Sequence, residues 1–316
     1  MNLVSKLIVA ASILASNMLA AQPYKPYKAD FGPMKAVPGA FEKWQALTKK
    51  GNAEGMNKDL VLEKSQIVKP ILAKNPDWVD GYWLYANMMM IYGETQSSSD
   101  KEGMKRTRGY LVEAMEHADK CLKKDKTVMI CRFFYGAAIG KIATIDGIIS
   151  SVSKGKTVIN SWIEVYNSDQ DYVFDDGSSL QGLVRYAMGI YYRVVPDFFL
   201  LRWIFGISGD IDKSVKMHRE SLAYEGLNEP CPKLMLAAAM LCKSDGEPKS
   251  KLTQEANKLL SAIEKANKNV GESTLVCIED ASMLKVKPDN ACGYTKAQVQ
   301  KRDEASLKAH TAPESK

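Results

Sequence analysis

The stretch ILAKNPDWVDGYWLYANMMMIYG, residues 71–93, holds the end of one helix and the start of the next. Apolar residues lead into Asn75, Pro76 and Asp77, a turn signal that ends a helix because proline has no backbone N–H and restricts the residue before it. Aromatic and apolar residues then follow at helical spacing, with bulky Tyr85 beside small Ala86. The stretch therefore predicts two successive helices packed as a hairpin.

Both parts of this stretch recur along the chain, which indicates internal repeats. The bulky–small pattern at Tyr85 returns at offsets of 50, 51 and 50 residues, in YGAAIGKIA at Tyr135, YAMGIYYRV at Tyr186 and LAAAMLCKS at Leu236. The helix end at Ile71 returns in CLKKDKT at Cys121 and SLAYEGL at Ser221, while the expected copy near residue 171 falls in the acidic loop 167–177. We therefore expect an all-α solenoid of about four helix hairpins, one continuous domain over residues 40–292.

Two of these motifs carry a resemblance to known families. ILAKNPDWVDGYWLYA is similar to the junction between tetratricopeptide repeats, and the order YGAAIGKIA, SLQGLVRYAMGIYYRVVP, GDIDKSVKMHRESLAYE resembles the periplasmic T-component of TRAP transporters, over roughly residues 75–245. The resemblance implies a right-handed superhelix of tetratricopeptide-like hairpins with an apolar pocket or pore. It also implies a hydrophobic or organic-acid ligand and a transporter substrate-binding component as partner. T-components are typically lipoproteins, whereas this sequence has no lipidation cysteine.

The N-terminus indicates export. In residues 1–21, Lys6 precedes an apolar run and small residues follow, which predicts a cleavable secretory signal ending near Ala20 or Ala21. The alternative, a short membrane anchor, would need about 20 apolar residues. Residues 22–39 carry four prolines and should form an extended leader. We expect a periplasmic or secreted protein without stable membrane insertion, and the scattered charges behind its net +6 argue against a nucleic-acid partner.

Six cysteines suit an oxidising compartment, where an even count indicates disulfides. Cys121 and Cys131 lie symmetrically about the predicted turn 123–127, so an antiparallel helix hairpin would join them. The alternative for all six is buried free thiols that pack as small hydrophobic side chains.

Helix geometry limits how the last four cysteines can pair. If Cys231 and Cys242 share one helix they lie ~16 Å apart, beyond the reach of a disulfide. We expect the pairs Cys231–Cys277 and Cys242–Cys292, which would join consecutive helices in parallel, although the sequence leaves this connectivity open.

Residues 182–210, GLVRYAMGIYYRVVPDFFLLRWIFGISGD, supply candidate binding residues. Interspersed charges exclude a membrane span. Pro196 should end a helix near Val194 or Val195, which leaves residues 198–207 as an insert that either plugs the superhelix or forms its pocket wall. The candidate ligand- or partner-binding residues are aromatic: Tyr135, Tyr186, Tyr191, Tyr192, Phe198, Phe199, Trp203 and Phe205. The alternative is that most are core, since aromatic stripes at helical spacing usually face inward.

Motifs for chemistry are weak. SKGKT at 153–157 lacks the earlier glycine and strand of a phosphate-binding loop. DQDYVFDDG at 169–177 fails the EF-hand spacing, so we expect an acidic loop in which Asp176 or Ser178 caps the next helix. The three histidines, His117, His218 and His310, form no i, i+4 pair that would hold a metal.

These patterns predict no catalytic residue, no metal and no cofactor. We expect a non-enzymatic binding or scaffold protein for a protein partner or a small apolar or acidic ligand. An enzyme, with a cleft of perturbed carboxylates or a histidine, is the open alternative. The polar segment 293–316 should add one helix, with Thr295 and Gln298 as its capping box, and a tail.

Overall fold

A computed structural model of the protein describes residues 24–95, 100–224, 226–267, 272–296, 298–300 and 302. These residues form an all-α protein, with a 3₁₀ helix at Pro288–Cys292 and two short strands, β1 (Lys25–Pro26) and β2 (Gln170–Asp171), paired in parallel. The helices are α1 (Gly32–Lys35), α2 (Ala40–Glu54), α3 (Lys58–Lys74), α4 (Val79–Thr95), α5 (Lys101–Lys124), α6 (Met129–Asp146), α7 (Val152–Tyr166), α8 (Leu180–Val194), α9 (Phe199–Phe205), α10 (Ile211–Ser221), α11 (Pro230–Lys243), α12 (Lys251–Glu264) and α13 (Glu272–Val286).

Helices that follow one another along the chain pack side by side. α4 packs on α3 and α5, α6 packs on α5 and α7, and α11 packs on α10 and α12. The small residues of the repeated pattern allow the close approach: a Cβ at Gly136 of α6 would lie 2.7 Å from the Trp162 indole nitrogen of α7. The predicted helix ends are confirmed, since α3 ends at Lys74, α5 at Lys124 and α10 at Ser221.

The predicted break at Pro196 is also confirmed. α8 ends at Val194 and Val195 has an extended backbone, because proline disfavours a helical conformation at the residue before it. The chain then forms the short helix α9, turns at Gly206 and starts α10, where the Asp210 carboxylate accepts a hydrogen bond of 2.9 Å from the Lys213 backbone N–H. Asp210 is therefore the N-cap of α10.

The buried apolar residues form two clusters. The first cluster runs from Met34 to Met217 and is centred on α3 to α8. The second cluster runs from Val215 to Tyr294 and is built by α11, α12 and α13. α8 joins them, because Tyr186 and Ile190 on that helix pack against the second cluster.

Three disulfides form in the pairing that the sequence predicts. The Cα–Cα distances are 5.8 Å for Cys121–Cys131, 5.2 Å for Cys231–Cys277 and 4.7 Å for Cys242–Cys292. Cys292 lies in the 3₁₀ helix rather than on a helix of the repeat. Three disulfides are typical of extracellular or periplasmic proteins. The predicted signal, residues 1–21, lies outside the described residues.

None of the described helices is both long enough and apolar enough to cross a bilayer.

The described part of the C-terminal segment differs from its prediction. The Thr295 backbone N–H donates to the Gln298 carbonyl at 2.8 Å, and Tyr294 and Val299 form an antiparallel bridge, so these residues make a tight turn rather than a helix start. Lys296 has a φ of 52°, a left-handed conformation that a right-handed helix does not accept. The capping-box prediction was wrong here, because a local side-chain pattern does not exclude a turn.

The leader is tied against the first cluster. The Tyr27 hydroxyl donates to Asp80 Oδ1 and the Asp30 backbone N–H donates to Asp80 Oδ2, each at 2.7 Å. The Trp78 indole N–H donates to the Asp30 carbonyl at 2.7 Å. The start of α4 thereby fixes the first part of the leader, and Phe31 within the leader lines the interior cavity. The leader is not extended throughout, because residues 32–35 form α1.

Candidate functional site

A cavity of about 580 Å³, partly open to the surface, lies between α4, α6 and α8. That volume is within the range of sites for small ligands, about 300–1,000 Å³. Its lining is mainly aromatic and aliphatic, and includes Trp83, Met88, Phe134, Val158, Tyr186 and Tyr191. Ala137 and Gly140 of α6 and Ala187 of α8 also line it, and these small side chains leave space for the cavity.

One part of the wall carries a buried lysine. Lys64 of α3 is 2% exposed, and its ammonium group donates to Thr48 Oγ1 at 2.8 Å. Asp175 Oδ2 lies 3.5 Å from the same nitrogen, and the Trp44 ring lies beneath it at 3.9 Å. Burial lowers the pKa of Lys64, and the Asp175 carboxylate opposes that shift. These contacts hold the ammonium group in a fixed position at the cavity wall.

A second polar group in the wall is an ion cluster. The Glu94 carboxylate of α4 contacts the Lys141 ammonium group of α6, and Lys296 Nζ from the C-terminal turn lies 3.5 Å from its other oxygen. Burial acts to raise the pKa of Glu94. The combined effect of the Lys141 and Lys296 ammonium groups is larger and lowers the pKa to about 2. Glu94 is therefore ionised at neutral pH, and the cluster joins α4, α6 and the C-terminal turn.

Two tyrosines of α8 face the cavity. Burial raises the pKa of both Tyr186 and Tyr191, so each hydroxyl is protonated at neutral pH. The Tyr191 ring makes an edge contact with Trp162, and its buried hydroxyl has no hydrogen-bond partner among the described residues. Tyr186 makes an edge contact with the buried ring of His218.

The eight aromatic residues singled out in the sequence do not come together. Tyr186 and Tyr191 line the cavity, and Tyr192 packs against Tyr191 with the Lys213 ammonium group 5.5 Å from its ring. Tyr135 lines a separate groove of about 280 Å³ with Arg108 and Lys154. The remaining four belong to the insert: Phe198, Phe199, Trp203 and Phe205.

The insert is not uniformly a plug or a wall. Leu201 is fully buried and Ile207 lines the cavity, while Phe198 and Phe205 pack against the first cluster. Phe199 and Trp203 are 78% and 74% exposed, so for these two residues the plug-or-wall interpretation was wrong. The reason is helical geometry: α9 places residues four apart on one face, and that face points away from Leu201.

The polar groups of the wall were missed by sequence reasoning. Lys64, Glu94, Lys141 and Lys296 come from four separate segments. Lys141 lies in the YGAAIGKIA motif, but the motif gives it no role. One signal was available. Glu94 and Lys141 lie 47 residues apart, close to the predicted repeat period, and the structure pairs them between α4 and α6.

The acidic loop is held by internal contacts. The Asp171 carboxylate accepts from the Gln181 backbone N–H at 3.0 Å, Asp175 faces Lys64, and Asp176 accepts from the Ser178 backbone N–H at 2.9 Å. The N-cap of α8 is Ser179 rather than the predicted Asp176 or Ser178. In the described ranges, no group of three or more potential metal ligands occurs.

The SKGKT segment belongs mainly to the first turns of α7. A Cβ at Gly155 would lie 2.8 Å from Ile207 Cδ1, so this glycine gives space to the insert. Packing against Ile207 is therefore sufficient to explain why position 155 is a glycine.

Comparison with models of protein families and with curated proteins finds no match for this chain.

Proposed function

We propose that this protein is an exported, non-enzymatic helical-repeat protein that binds an apolar ligand in the cavity between α4, α6 and α8. The observation that supports the proposal is the cavity of about 580 Å³ with its mainly apolar lining. Both ends of the described chain contribute to it, through Phe31 and through Thr295 and Lys296. In this proposal the hairpins stack as the right-handed superhelix that the repeat pattern predicts.

The charged groups of the wall support binding rather than chemistry. Lys64 is engaged by Thr48 and Asp175, and Glu94 is engaged by two ammonium groups. His218 is fully buried in the packing of α10, and burial lowers its pKa well below the ordinary value. Among the described residues of the cavity wall there is no histidine. Such fixed groups would serve to orient a ligand in an otherwise apolar site.

The test is displacement of an environment-sensitive dye. N-phenyl-1-naphthylamine should bind the purified protein with increased fluorescence and be displaced by long-chain hydrocarbon compounds. Ala187→Phe and Ala143→Phe add a ring to the cavity wall and should weaken dye binding at least tenfold. Ala53→Phe adds the same ring at an exposed position of α2 and should leave binding unchanged.

The outcomes separate the alternatives. Dye binding that is absent, or that both cavity variants leave unchanged while their thermal unfolding stays cooperative, would contradict the proposal. A periplasmic extract passed over the immobilised protein then tests the scaffold alternative, in which a protein partner is the ligand.

The resemblance to the T-component family favours one biological setting, that of an accessory component in a TRAP-type transport system. The α8 motif YAMGIYYRV that carries part of the resemblance also supplies Tyr186 and Tyr191 to the cavity wall. In that setting the ligand would be hydrophobic or an organic acid and would pass to a substrate-binding component. Binding of such a component, encoded beside this protein, to the purified chain is the direct test.

A further inference from the structure

The short helix α9 exposes an apolar edge, formed by Phe199, Trp203 and Ile204. Phe199 and Trp203 lie one helical turn apart and are 78% and 74% exposed, and Ile204 beside them is 48% exposed. Single exposed apolar residues are ordinary, whereas a contiguous exposed patch usually marks an interaction site. We call these three residues the α9 edge.

The α9 edge is held rigidly. Beneath it Leu201 is fully buried, and Ile207 fixes the end of the insert to the cavity wall. The Asp197 carboxylate accepts hydrogen bonds from the Arg202 guanidinium at 2.5 Å and from the Ser208 hydroxyl at 2.6 Å, which closes the insert on itself. The edge is therefore presented by a fixed scaffold, which lowers the entropic cost of docking.

Two basic side chains adjoin the α9 edge. Arg202 lies on α9 itself, and Lys156 lies near the start of α7, which packs against α9. Lys156 is exposed and forms no ion pair with any described residue, and its ammonium nitrogen would lie 3.8 Å from a Cβ at Gly206.

The acidic group of the insert itself, Asp197, is bound by Arg202. Lys156 therefore contributes a positive charge that no ion pair among the described residues offsets.

We propose that the α9 edge docks on an anionic phospholipid surface. Exposed tryptophan and phenylalanine beside lysine and arginine suit the boundary between headgroups and acyl chains, where the rings enter and the cations meet lipid phosphates. A protein partner is the less favoured occupant, because lysine, here Lys156, is depleted at protein–protein interfaces relative to the rest of the surface.

Docking of the α9 edge would place the cavity beside the bilayer. Ile207, two residues beyond Phe205, lines the cavity together with Lys154 and Gly155. If the cavity binds an apolar ligand, as proposed above, docking would bring the site of that ligand close to the acyl chains of the bilayer. Only this consequence depends on the proposed function, whereas the docking itself does not.

Vesicle co-sedimentation of the purified protein tests the proposal. We expect binding to vesicles of phosphatidylcholine with 30% phosphatidylglycerol and much weaker binding to phosphatidylcholine alone. Binding should fall as salt rises from 0.1 to 0.5 M, because the Debye length shortens from about 10 Å to a few ångströms. The double variant Phe199→Ala/Trp203→Ala should reduce binding at least tenfold.

The matched control is Val286→Ala, which truncates a side chain that is also 78% exposed but lies at the end of α13. It should bind vesicles like the wild type. Lys156→Gln should weaken binding to anionic vesicles and leave thermal unfolding unchanged.

Three results would overturn the proposal: no binding to anionic vesicles, equal binding by the α9 double variant, or equal loss in the Val286 variant. A fourth would reassign the edge. If the wild type is a dimer by sedimentation velocity, the double variant is a monomer and neither binds vesicles, the α9 edge is a contact between two copies of the chain. In each case the dye-displacement experiment still tests ligand binding in the cavity independently of the vesicle result.

Discussion

The two apolar clusters are stabilised in different ways. The first, which contains the cavity, is joined by α3 to α8 and by the leader, and its one disulfide, Cys121–Cys131, spans a sequence separation of 10. The second is built by three helices and is crossed by two disulfides with separations of 46 and 50. The comparison suggests that extensive packing supports a cavity in the first cluster, whereas the smaller second cluster relies on covalent links.

The largest expected effect comes from the long-range disulfides. In the chain-entropy model, a link across about 46 residues stabilises the fold by about 4 kcal/mol, and a link across about 10 residues by about 3 kcal/mol. Replacing Cys231 and Cys277 together by alanine should therefore lower the free energy of unfolding by about 4 kcal/mol, as measured by urea denaturation. Amide hydrogen exchange should increase most in α11 to α13.

The matched control replaces Cys121 and Cys131 together by alanine. Each double variant then loses one disulfide in the same way, so the difference in stability between the two variants reports the length and location of the closed loop. A larger loss from the Cys121/Cys131 variant would break the comparison, because the first cluster would then be the one that depends on its covalent link.

The next effect tests the junction between the clusters. A Cβ at Gly189 of α8 would lie 2.7 Å from Cε1 and Nε2 of His218, whose ring is fully buried. Gly189→Ala should lower the free energy of unfolding by about 2 kcal/mol through overpacking. Thermal unfolding that loses its single cooperative transition would show that the junction couples the clusters. A free energy of unfolding equal to that of the wild type would show that the His218 ring moves aside without cost.

The third effect concerns the ion cluster that ties the C-terminal turn to the first cluster. The pKa of Glu94 is lowered from 4.5 to about 2, so its contribution to stability is complete above pH 4.5 and is lost as the pH falls through 2. Glu94→Gln should lower the free energy of unfolding at pH 7 by about 1 kcal/mol, a value discounted because the side chain is partly exposed.

The difference between wild type and Glu94→Gln should shrink as the pH is lowered from 5 to 2 in matched urea titrations. A difference that is constant across this range would show that the Glu94 charge does not carry the effect.

The smallest effect is a gain. Gly109 lies in the middle of α5, and a Cβ there would meet no atom within 4 Å. Gly109→Ala should therefore raise the free energy of unfolding by about 0.5–1 kcal/mol, since alanine has the higher helix propensity. Gly109→Ala and Gly189→Ala are the same substitution at two positions, and their expected effects on the free energy of unfolding have opposite signs. Destabilisation by Gly109→Ala would contradict the open space at that position.

Much of the fold could be predicted from local rules. The helix succession, the break before Pro196 and the three cysteine pairs follow from spacing, proline chemistry and the geometry of a helix. These properties depend on residues near each other in sequence or on a repeat period. The N-cap at Ser179 and the turn at Thr295 were missed, because a neighbouring polar residue can satisfy the same short-range pattern.

The candidate site was predicted only in part. Tyr186 and Tyr191 lie on the repeated helix pattern, and the structure brings both to the cavity. Lys64, Glu94 and Lys141 depend on how separate hairpins stack, which no local pattern specifies. Phe199 and Trp203 show the converse limit: hydrophobicity predicts burial, but the orientation of a seven-residue helix decides which of its faces is covered.

The overlapping disulfides also determine how the molecule would lengthen under force. Cys231–Cys277 and Cys242–Cys292 interlock, so the shortest covalent path from Cys231 to Cys292 runs along residues 231–242 and across one bridge. Pulled from its ends, the chain between Cys231 and Cys292 could span at most about 40 Å at roughly 3.5 Å per residue. Without the bridges, the same segment could span about 200 Å. Under tension most of the extensible length therefore lies on the N-terminal side of Cys231, in the part that contains most of the cavity wall.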